Sequence, residues 1–437
     1  MIPAFFSIHR MFFAVAVLAG SGCAHFTAKP LSPAVAASDF DARRLSTKHA
    51  SLSKLVAEAM EKNPDLAVLR SHLQTVQAAV ATAGERPNPV LSLKPGYNSS
   101  TSGISPWIIE PGLDLTIETG GKREARQAEA IAKVRAARLE IEVAAWKVRS
   151  DIRRAMFVMY SAGATRTEFR SHESAQAQAT TLLESQLKDG AARPQDVAAA
   201  RIPLNQTRLG MHDADLLAAK GRAQLAAAVG VPVSALAGVE FEFSEVSKLP
   251  SAPAGRAARR HALTHRADIL AALADYAAGE EHLRLEVAKQ YPDIKLGPGY
   301  KLDQTSNKWT LGVGFELPIL NQHKGAIGEA EAKRTEAAAR FRAVQARALG
   351  EIDIALAVYR AATGKATAAK ALATDVRAQT KTAETMKAAG ELSQLDVSQR
   401  RVEQGAAELS RTQARLGALE ALGALEDALQ TPSSLWK

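Results

Sequence analysis

The sequence predicts a mainly α-helical protein with a small β part, built from two tandem repeats of long helical hairpins plus strand pairs. Three observations support this fold class. Matched residues recur at a constant spacing, long helical stretches lie between them, and short segments with alternating apolar and polar residues interrupt the helices. A constant spacing over many positions indicates an internal repeat, so the duplication defines the architecture first.

The duplication is visible in two sets of matched residues. Three pairs are 203 residues apart: Asp65 with Asp268, Pro89 with Pro292, and Gly96 with Gly299. Five further pairs are 200 residues apart: Ile152 with Ile352, Ala155 with Ala355, Gly190 with Gly390, Asp196 with Asp396, and Pro232 with Pro432. One short deletion between the two sets explains the change of offset, so the copies are collinear.

Each copy has the same predicted order of elements: a first helix, two strands, a very long helix, a glycine turn and a return helix. The helices are predicted at 52–86, 122–188 and 194–229, and again at 256–290, 324–388 and 394–430. At 1.5 Å per residue the longest helix extends roughly 100 Å. Such a length favours a rod or tube over a compact domain.

The strands show period-two alternation, which places apolar residues on one face of a sheet. In the second copy the apolar positions are Trp309, Leu311, Val313, Phe315 and Leu317. The first copy carries Leu113, Leu115 and Ile117, with residues 106–111 expected to be irregular and polar loops at 98–105 and 303–308. Membrane barrels begin at about eight strands, so four per chain indicate a barrel shared between subunits in a symmetric ring.

Composition and charge argue against two other classes of protein. Aromatic residues make up only 5% of the chain, whereas large globular cores normally use more of them. The net charge of +9 is spread along the helices without a dense basic block, so nucleic acid is not an expected partner.

The N-terminus has the pattern of a secretory signal peptide over residues 1–22. Arg10 precedes a short apolar run at 11–18, and small residues at 19–22 lead to Cys23, the one cysteine of the chain. The small residues followed by cysteine resemble a bacterial lipoprotein site, although Gly20 departs from the usual pattern. Cys23 is therefore a predicted lipidation site, with ordinary cleavage nearby as the alternative.

The repeated order of elements resembles the TolC family of outer-membrane efflux proteins over about residues 50–432. Gly390 to Val397 is similar to the family's helix-tip pattern, and Gly190 to Val197 is its sister copy. The segments Glu118–Arg123 and Leu317–Gly325 resemble the branch that serves heavy-metal pumps of the RND type. The resemblance implies a homotrimer with a twelve-stranded β-barrel in outer-membrane lipid, joined to a twelve-helix α-barrel that meets a periplasmic adaptor and an inner-membrane pump.

The resemblance also gives the domain boundaries. A linker at 23–50 precedes the first repeat at 51–235, with strands at 90–118 and a hairpin tip at 188–196. An equatorial linker at 236–255 precedes the second repeat at 256–432, with strands at 293–317 and a tip at 388–396. A short tail follows at 433–437.

The predicted functional residues lie at the two tips. Asp396 is the better candidate for a periplasmic gate and Asp196 the weaker one, since a ring of carboxylates repels itself and attracts cations. The alternative for Asp396 is an exposed aspartate stabilised by the helix dipole. Leu392, Lys387 and Gln399 replace residues that other family members use here, so the closed state is expected to differ. The adaptor-contact candidates, which also fit simple turn chemistry, are Gly190, Ala192, Arg193, Gly390, Leu392, Ser393 and Leu395.

No enzyme, cofactor or metal site is expected. His261 and His265 share a helical face, but the residues between them do not complete a zinc motif. The leading function is an outer-membrane exit duct of a tripartite efflux system, with heavy-metal cations as the favoured cargo. A duct for drugs or for type I secretion is the alternative, and a periplasmic coiled-coil scaffold is a rival of another class.

Overall fold

The computed structural model describes residues 26–100, 105–303 and 306–436. Residues 1–22 and Cys23 lie outside the described residues, so lipidation of Cys23 stays a prediction, which fatty-acid labelling of wild type and Cys23→Ser tests. The chain divides into two units, residues 1–44 and residues 45–437. The described part of the first unit contains helix α1 (Pro33–Asp41).

The second unit contains both copies, and each copy repeats one order of elements. The first copy comprises β1 (His49–Ala50), α2 (Leu52–Lys62), α3 (Pro64–Gly84), β2 (Val90–Tyr97), β3 (Trp107–Ile117), α4 (Lys122–Lys188) and α5 (Pro194–Val229). After β4 (Glu240–Phe241), the second copy comprises α6 (Gly255–His265), α7 (Ala267–Ala288), β5 (Ile294–Asp303), β6 (Ser306–Phe315), α8 (Lys324–Ala388) and α9 (Gln394–Leu429). The prediction of a mainly helical chain with a small β part is confirmed.

The first helix of each copy is broken, which the sequence analysis did not predict. Asn63 separates α2 from α3, with an extended backbone and a side-chain Oδ1 that accepts hydrogen bonds from the N–H groups of Asp65 and Leu66. Pro64 fits the first helical position because it needs no N–H donor there. Arg266 makes the equivalent break between α6 and α7. Side-chain capping therefore overrides the helical periodicity at Asn63. The Arg266 side chain does not cap α7, and the Ala267 N–H donates instead to Gln430 Oε1 at 2.9 Å.

The helices of the second unit pack side by side in one order. Near the sheet, α3 packs on α4, α4 on α7, and α7 on α8. Towards the tips, α5 packs on α4, α4 on α9, and α9 on α8. The long helices α4 and α8 run through both halves. Consequently α3 and α5 form one edge of the chain, while α8 forms the other.

A four-stranded antiparallel sheet continues this order, with the strands arranged β2–β3–β5–β6. A separate parallel pair joins β1 to β4. Two predictions were wrong at the sheet. Trp107–Pro111 belongs to β3 rather than to an irregular segment, and Ser306–Lys308 begins β6 rather than lying in a loop. Proline interrupts the alternation of apolar and polar residues in the sequence. In the sheet, however, Pro111 occupies a regular strand position opposite Leu93.

The two copies are held together at mid-length by a buried ion pair between α4 and α9. Arg153 Nε lies 2.9 Å from Glu426 Oε2, and both side chains are almost fully buried. Burial lowers the pKa of the Arg153 guanidinium, and the Glu426 carboxylate opposes that shift. Apolar residues of α8 and α9, including Ile352 and Leu419, surround this level of the interface. The pair is the polar centre of the contact between copies.

We expect Glu426→Gln to destabilise the protein by about 3–5 kcal/mol, because it leaves the Arg153 guanidinium buried without its counter-charge. Thermal unfolding followed by circular dichroism measures the effect. Glu403→Gln is the matched control, since Glu403 pairs with Arg400 at the surface and exposed pairs contribute about 1 kcal/mol or less. Equal unfolding curves for the two variants would contradict the central role of Glu426.

Candidate functional site

The four-stranded sheet separates apolar from polar residues by face. Residues directly opposite each other on antiparallel strands share a face, and alternate residues point to opposite faces. Apart from Asn307, which lies opposite Leu302, the strand registers therefore define an apolar face made of Leu91, Leu93, Pro95, Tyr97, Trp107, Ile109, Pro111, Leu113, Leu115, Ile117, Ile294, Leu296, Pro298, Tyr300, Leu302, Trp309, Leu311, Val313 and Phe315. The other face carries glycines, hydroxyl groups and charged residues almost throughout.

The apolar face is uncovered in the single chain. The Trp309 side chain is 82% exposed, and Leu311, Val313 and Phe315 are also exposed. Two aromatic pairs lie toward the loop end of the sheet, with ring centroids 5.2 Å apart for Tyr97 and Trp107 and 4.9 Å apart for Tyr300 and Trp309. An apolar band with aromatic residues toward one border is typical of a surface that meets lipid.

Both edges of the sheet lack a strand partner among the described residues, because β2 and β6 each pair on one side only. Unpaired strand edges expose rows of N–H and C=O groups that readily pair with another chain. The sheet of one chain therefore has an exposed apolar face and two open edges among the described residues.

The segment after β3 forms the joint between the sheet and α4. Gly120 adopts a positive φ of 67°, and a Cβ there would lie 2.9 Å from the carbonyl oxygen of Ala288. Arg126 pairs with Glu118, and Lys122 Nζ lies 2.7 Å from Asp293 Oδ1. The charged residues that resemble the metal-efflux branch thus have a structural role in fixing the joint.

The two hairpin tips are built by the same turn. Gly190 and Gly390 have φ of 74° and 81°, and nothing lies within 4 Å of a Cβ built on either glycine. Glycine is therefore needed at these positions for its backbone conformation rather than for space. Below each turn, duplicated ion pairs join the arms: Arg201 with Glu184, and Arg401 with Glu384.

The tips differ at the start of the return helix. Ser393 Oγ accepts from the Asp396 N–H at 3.2 Å, and Asp396 Oδ2 accepts from the Ser393 N–H at 2.9 Å, which is a reciprocal capping box. Ser393 Oγ also donates to Asp396 Oδ2 at 2.6 Å. Hydrogen bonds from the Ser393 side chain and backbone lower the pKa of the Asp396 carboxyl. In the first copy, Asp196 Oδ2 accepts from the Arg193 N–H at 3.0 Å. Both aspartates therefore cap helices, and Asp396 is also exposed.

The remaining tip candidates are also at or near the surface. Arg193 and Ser393 are exposed, while Ala192, Leu392 and Leu395 are half-buried. Directly behind them, Val197 and Val397 are buried and anchor the two tips. The tips therefore present a few small and apolar side chains at the two turns.

The two edge helices carry exposed apolar residues that the sequence analysis missed. Ile202, Leu209 and Leu216 recur every seven residues along α5 and are all exposed. On the opposite edge, Ile354, Val358 and Leu372 are exposed on α8. The seven-residue spacing was available as a signal, because such a repeat marks a helix-packing seam.

A polar group is buried between the two hairpins. His172 of α4 is 7% exposed, and its Nε2 lies 3.0 Å from Gln176 Nε2. His172 Nδ1 and Gln176 Oε1 have no hydrogen-bond partner. A Cβ at position 405 of α9 would lie 2.4 Å from His172 Nδ1, so the ring requires Gly405 opposite it. Burial lowers the pKa of His172.

Within the described ranges, no three His, Cys, Asp or Glu side chains converge as a metal site would require. His261 and His265 stack with ring centroids 4.2 Å apart. In the same part of the chain, no helix has an apolar stretch long enough to cross a membrane.

The family model described as "Outer membrane efflux protein" matches residues 55–231 and 258–430, one stretch in each copy. The chain belongs to this family. Members of the outer membrane efflux family are channels that work with an adaptor and an inner-membrane pump, typically as trimers. No curated protein sequence matches the chain.

Solved structures share the fold of this outer membrane efflux protein. The outer membrane protein VceC from Vibrio cholerae is similar with a TM-score of 0.70 and 20% identity over 87% of this chain and 96% of that chain. The outer-membrane channel OprN is similar with a TM-score of 0.69 and 17% identity, over 86% of this chain and 89% of that chain. CusC is similar with a TM-score of 0.68 and 17% identity, over 86% of this chain and 91% of that chain.

We expect acidification below about pH 6.5, the ordinary pKa of histidine, to destabilise the wild-type efflux protein partly through His172. Its folded-state pKa is lowered, so its contribution to stability is present at neutral pH and is lost as pH falls and the unfolded state takes up the proton. His172→Leu, which copies Leu372 of the second repeat, should show a smaller fall in melting temperature between pH 7.5 and 5.5. Parallel pH profiles for the two proteins would contradict this role.

Proposed function

We propose that three subunits, each one chain, close head to tail into a ring that forms the outer-membrane exit duct of a tripartite efflux system. Three chains with four strands each give a twelve-stranded barrel, and the four helices α4, α5, α8 and α9 of each give a twelve-helix tube. The apolar face of the sheet would meet lipid and the polar face would line the pore. The observation that carries the proposal is the presence of complementary open edges at every level of the chain.

The duplication supplies a template for the missing interface. Inside the chain, α4 of the first copy packs on α9 of the second. The equivalent helices at an offset of 200 residues are α8 and α5, which are the two open edges. Leu416 on α9 is 8% exposed, whereas its equivalent Leu216 on α5 is 68% exposed. The edges therefore carry the residues of an interface whose internal copy is already formed.

The same equivalence between repeats predicts one specific contact between neighbouring subunits. His172 and Gly405 face each other inside the chain, and a Cβ at Gly405 would lie 3.3 Å from the Cα of His172. Their equivalents are Leu372 on α8 and Asn205 on α5. In the proposed ring, Leu372 of one subunit lies against Asn205 of the neighbouring subunit, close enough for a disulfide between cysteines placed there.

We expect the double variant Asn205→Cys with Leu372→Cys, in a Cys23→Ser background, to form disulfide-linked trimers on oxidation. Non-reducing gel electrophoresis of outer-membrane fractions checks this. Each single variant should run as a monomer after denaturation. His172→Cys with Gly405→Cys is the matched control and should form cross-linked monomers. A cross-link within one chain at 205 and 372, or a soluble periplasmic monomer, would contradict the ring.

The tips would form the periplasmic entrance and the adaptor contact. The turns Gly190–Arg193 and Gly390–Leu395 are the proposed adaptor contacts, and Asp396 is the proposed gate carboxylate. Support comes from the exposure of Asp396 and from its lowered pKa, which keeps the carboxylate charged in mildly acidic conditions. Three such carboxylates around one axis would attract cations.

We expect Asp396→Asn to lower the preference of the channel for cations, because it removes one charge per subunit at the narrow entrance. The reversal potential in planar bilayers under a KCl gradient measures this preference. Asp196→Asn is the matched control and should have a smaller effect. A reversal potential that is unchanged in Asp396→Asn would remove the gate assignment.

Heavy-metal cations are the cargo that the two post-strand segments favour. The ion pairs of Glu118 and Lys122 give the first of those segments a structural role, so its support for the metal branch is indirect. Drugs and a secreted protein are the alternative cargoes of the same duct. Growth of a deletion strain on panels of metals and drugs separates them.

A further inference from the structure

The polar face of the sheet carries few large side chains apart from its charged residues. Six of its positions are glycines: Gly96, Gly112, Gly297, Gly299, Gly312 and Gly314. Its charged strand residues are Lys94, Lys295, Lys301, Lys308, Glu110, Asp114 and Asp303. Lysine is the longest of these side chains, and glycine leaves the space around it open. The lysines are therefore the largest charged side chains of this face, and two of them pair with its acids.

Three of the lysines lie in one row across the four strands, near the loops that join the strands of each pair. Lys94 is opposite Glu110, and Lys301 is opposite Lys308. Lys301 Nζ lies 3.6 Å from Glu110 Oε2, which connects the two halves of the row. We call Lys94, Lys301 and Lys308 the basic row.

The basic row contradicts a rule of sheet stability. Like charges directly opposite each other on neighbouring strands destabilise a sheet, yet Lys301 and Lys308 occupy such a pair. Asp303 neutralises part of this charge, since its Oδ2 lies 3.1 Å from Lys308 Nζ. Three lysines and two acids still leave one positive charge per chain at this end. Departures from local rules of this kind are concentrated at functional positions.

We infer that the basic row makes the outer mouth of the pore favour anions and anionic complexes over free cations. The inference rests on the proposed ring, in which the polar face lines the pore and the loop end faces the exterior. Three chains would then place nine lysine ammonium groups around the mouth. Free metal cations would leave against this charge, whereas an organic anion or a metal carried as an anionic complex would not.

The test is a set of charge variants on one face, measured in planar bilayers under a KCl gradient. Lys94→Glu with Lys308→Glu should lower the chloride-over-potassium permeability ratio by about fivefold, since six screened charges change by two units each. Glu110→Gln should change the ratio in the opposite direction, because it removes a negative charge from the same row. Lys54→Gln on α2, outside the sheet, is the matched control and should leave the ratio unchanged.

The outcomes separate this inference from the proposed function. Opposite shifts for the lysine and glutamate variants support the basic row. Channels whose permeability ratio is the same in all variants would overturn it while leaving the duct intact. Wild-type protein that forms no channels and no trimers would overturn the proposed ring, and the inference with it.

Discussion

The structure depends on the contact between α4 of the first copy and α7 and α9 of the second. At its centre, the guanidinium of Arg153 and the carboxylate of Glu426 are buried together, and apolar residues enclose them. Gly423 allows this approach, because a Cβ there would lie 1.9 Å from Arg153 Nη1. Without this interface the two helical hairpins would be separate, and the copies would be joined mainly by the pairing of β3 with β5.

The same interface has an equivalent pair of faces at the two edges of the chain. The two copies share one order of elements, but one pair of their equivalent faces meets inside the chain and the other pair stays open. Leu416 is buried where Leu216 is exposed, and strand β3 pairs with β5 while β2 and β6 have open edges. The contact that joins the two repeats inside one chain can form again between two chains. Head-to-tail assembly would therefore use the same kind of interface.

The copies have diverged where their environments differ. His172 sits in the internal interface, and Leu372 occupies the equivalent position on the open edge. Asp196 and Asp396 each accept the backbone N–H of the residue three positions before, and Asp396 also accepts the Ser393 hydroxyl. α5 also carries Pro203 within its length, where α9 has Glu403. The two hairpins therefore differ at the start of their return helices and at positions 203 and 403.

The sequence by itself determined the duplication, the long helices, the glycine turns and the alternation of the strands, because these depend on local periodicity and backbone conformation. It did not predict the helix breaks at Asn63 and Arg266, since the hydrogen bonds that compete with periodicity there include a distant one, from Ala267 to Gln430. The strand at Trp107–Pro111 was also missed, because proline hides the alternation. Only the tertiary structure decided which faces meet. The register that aligns Lys94, Glu110, Lys301 and Lys308, and the edges that stay open, depend on contacts between residues far apart in the chain.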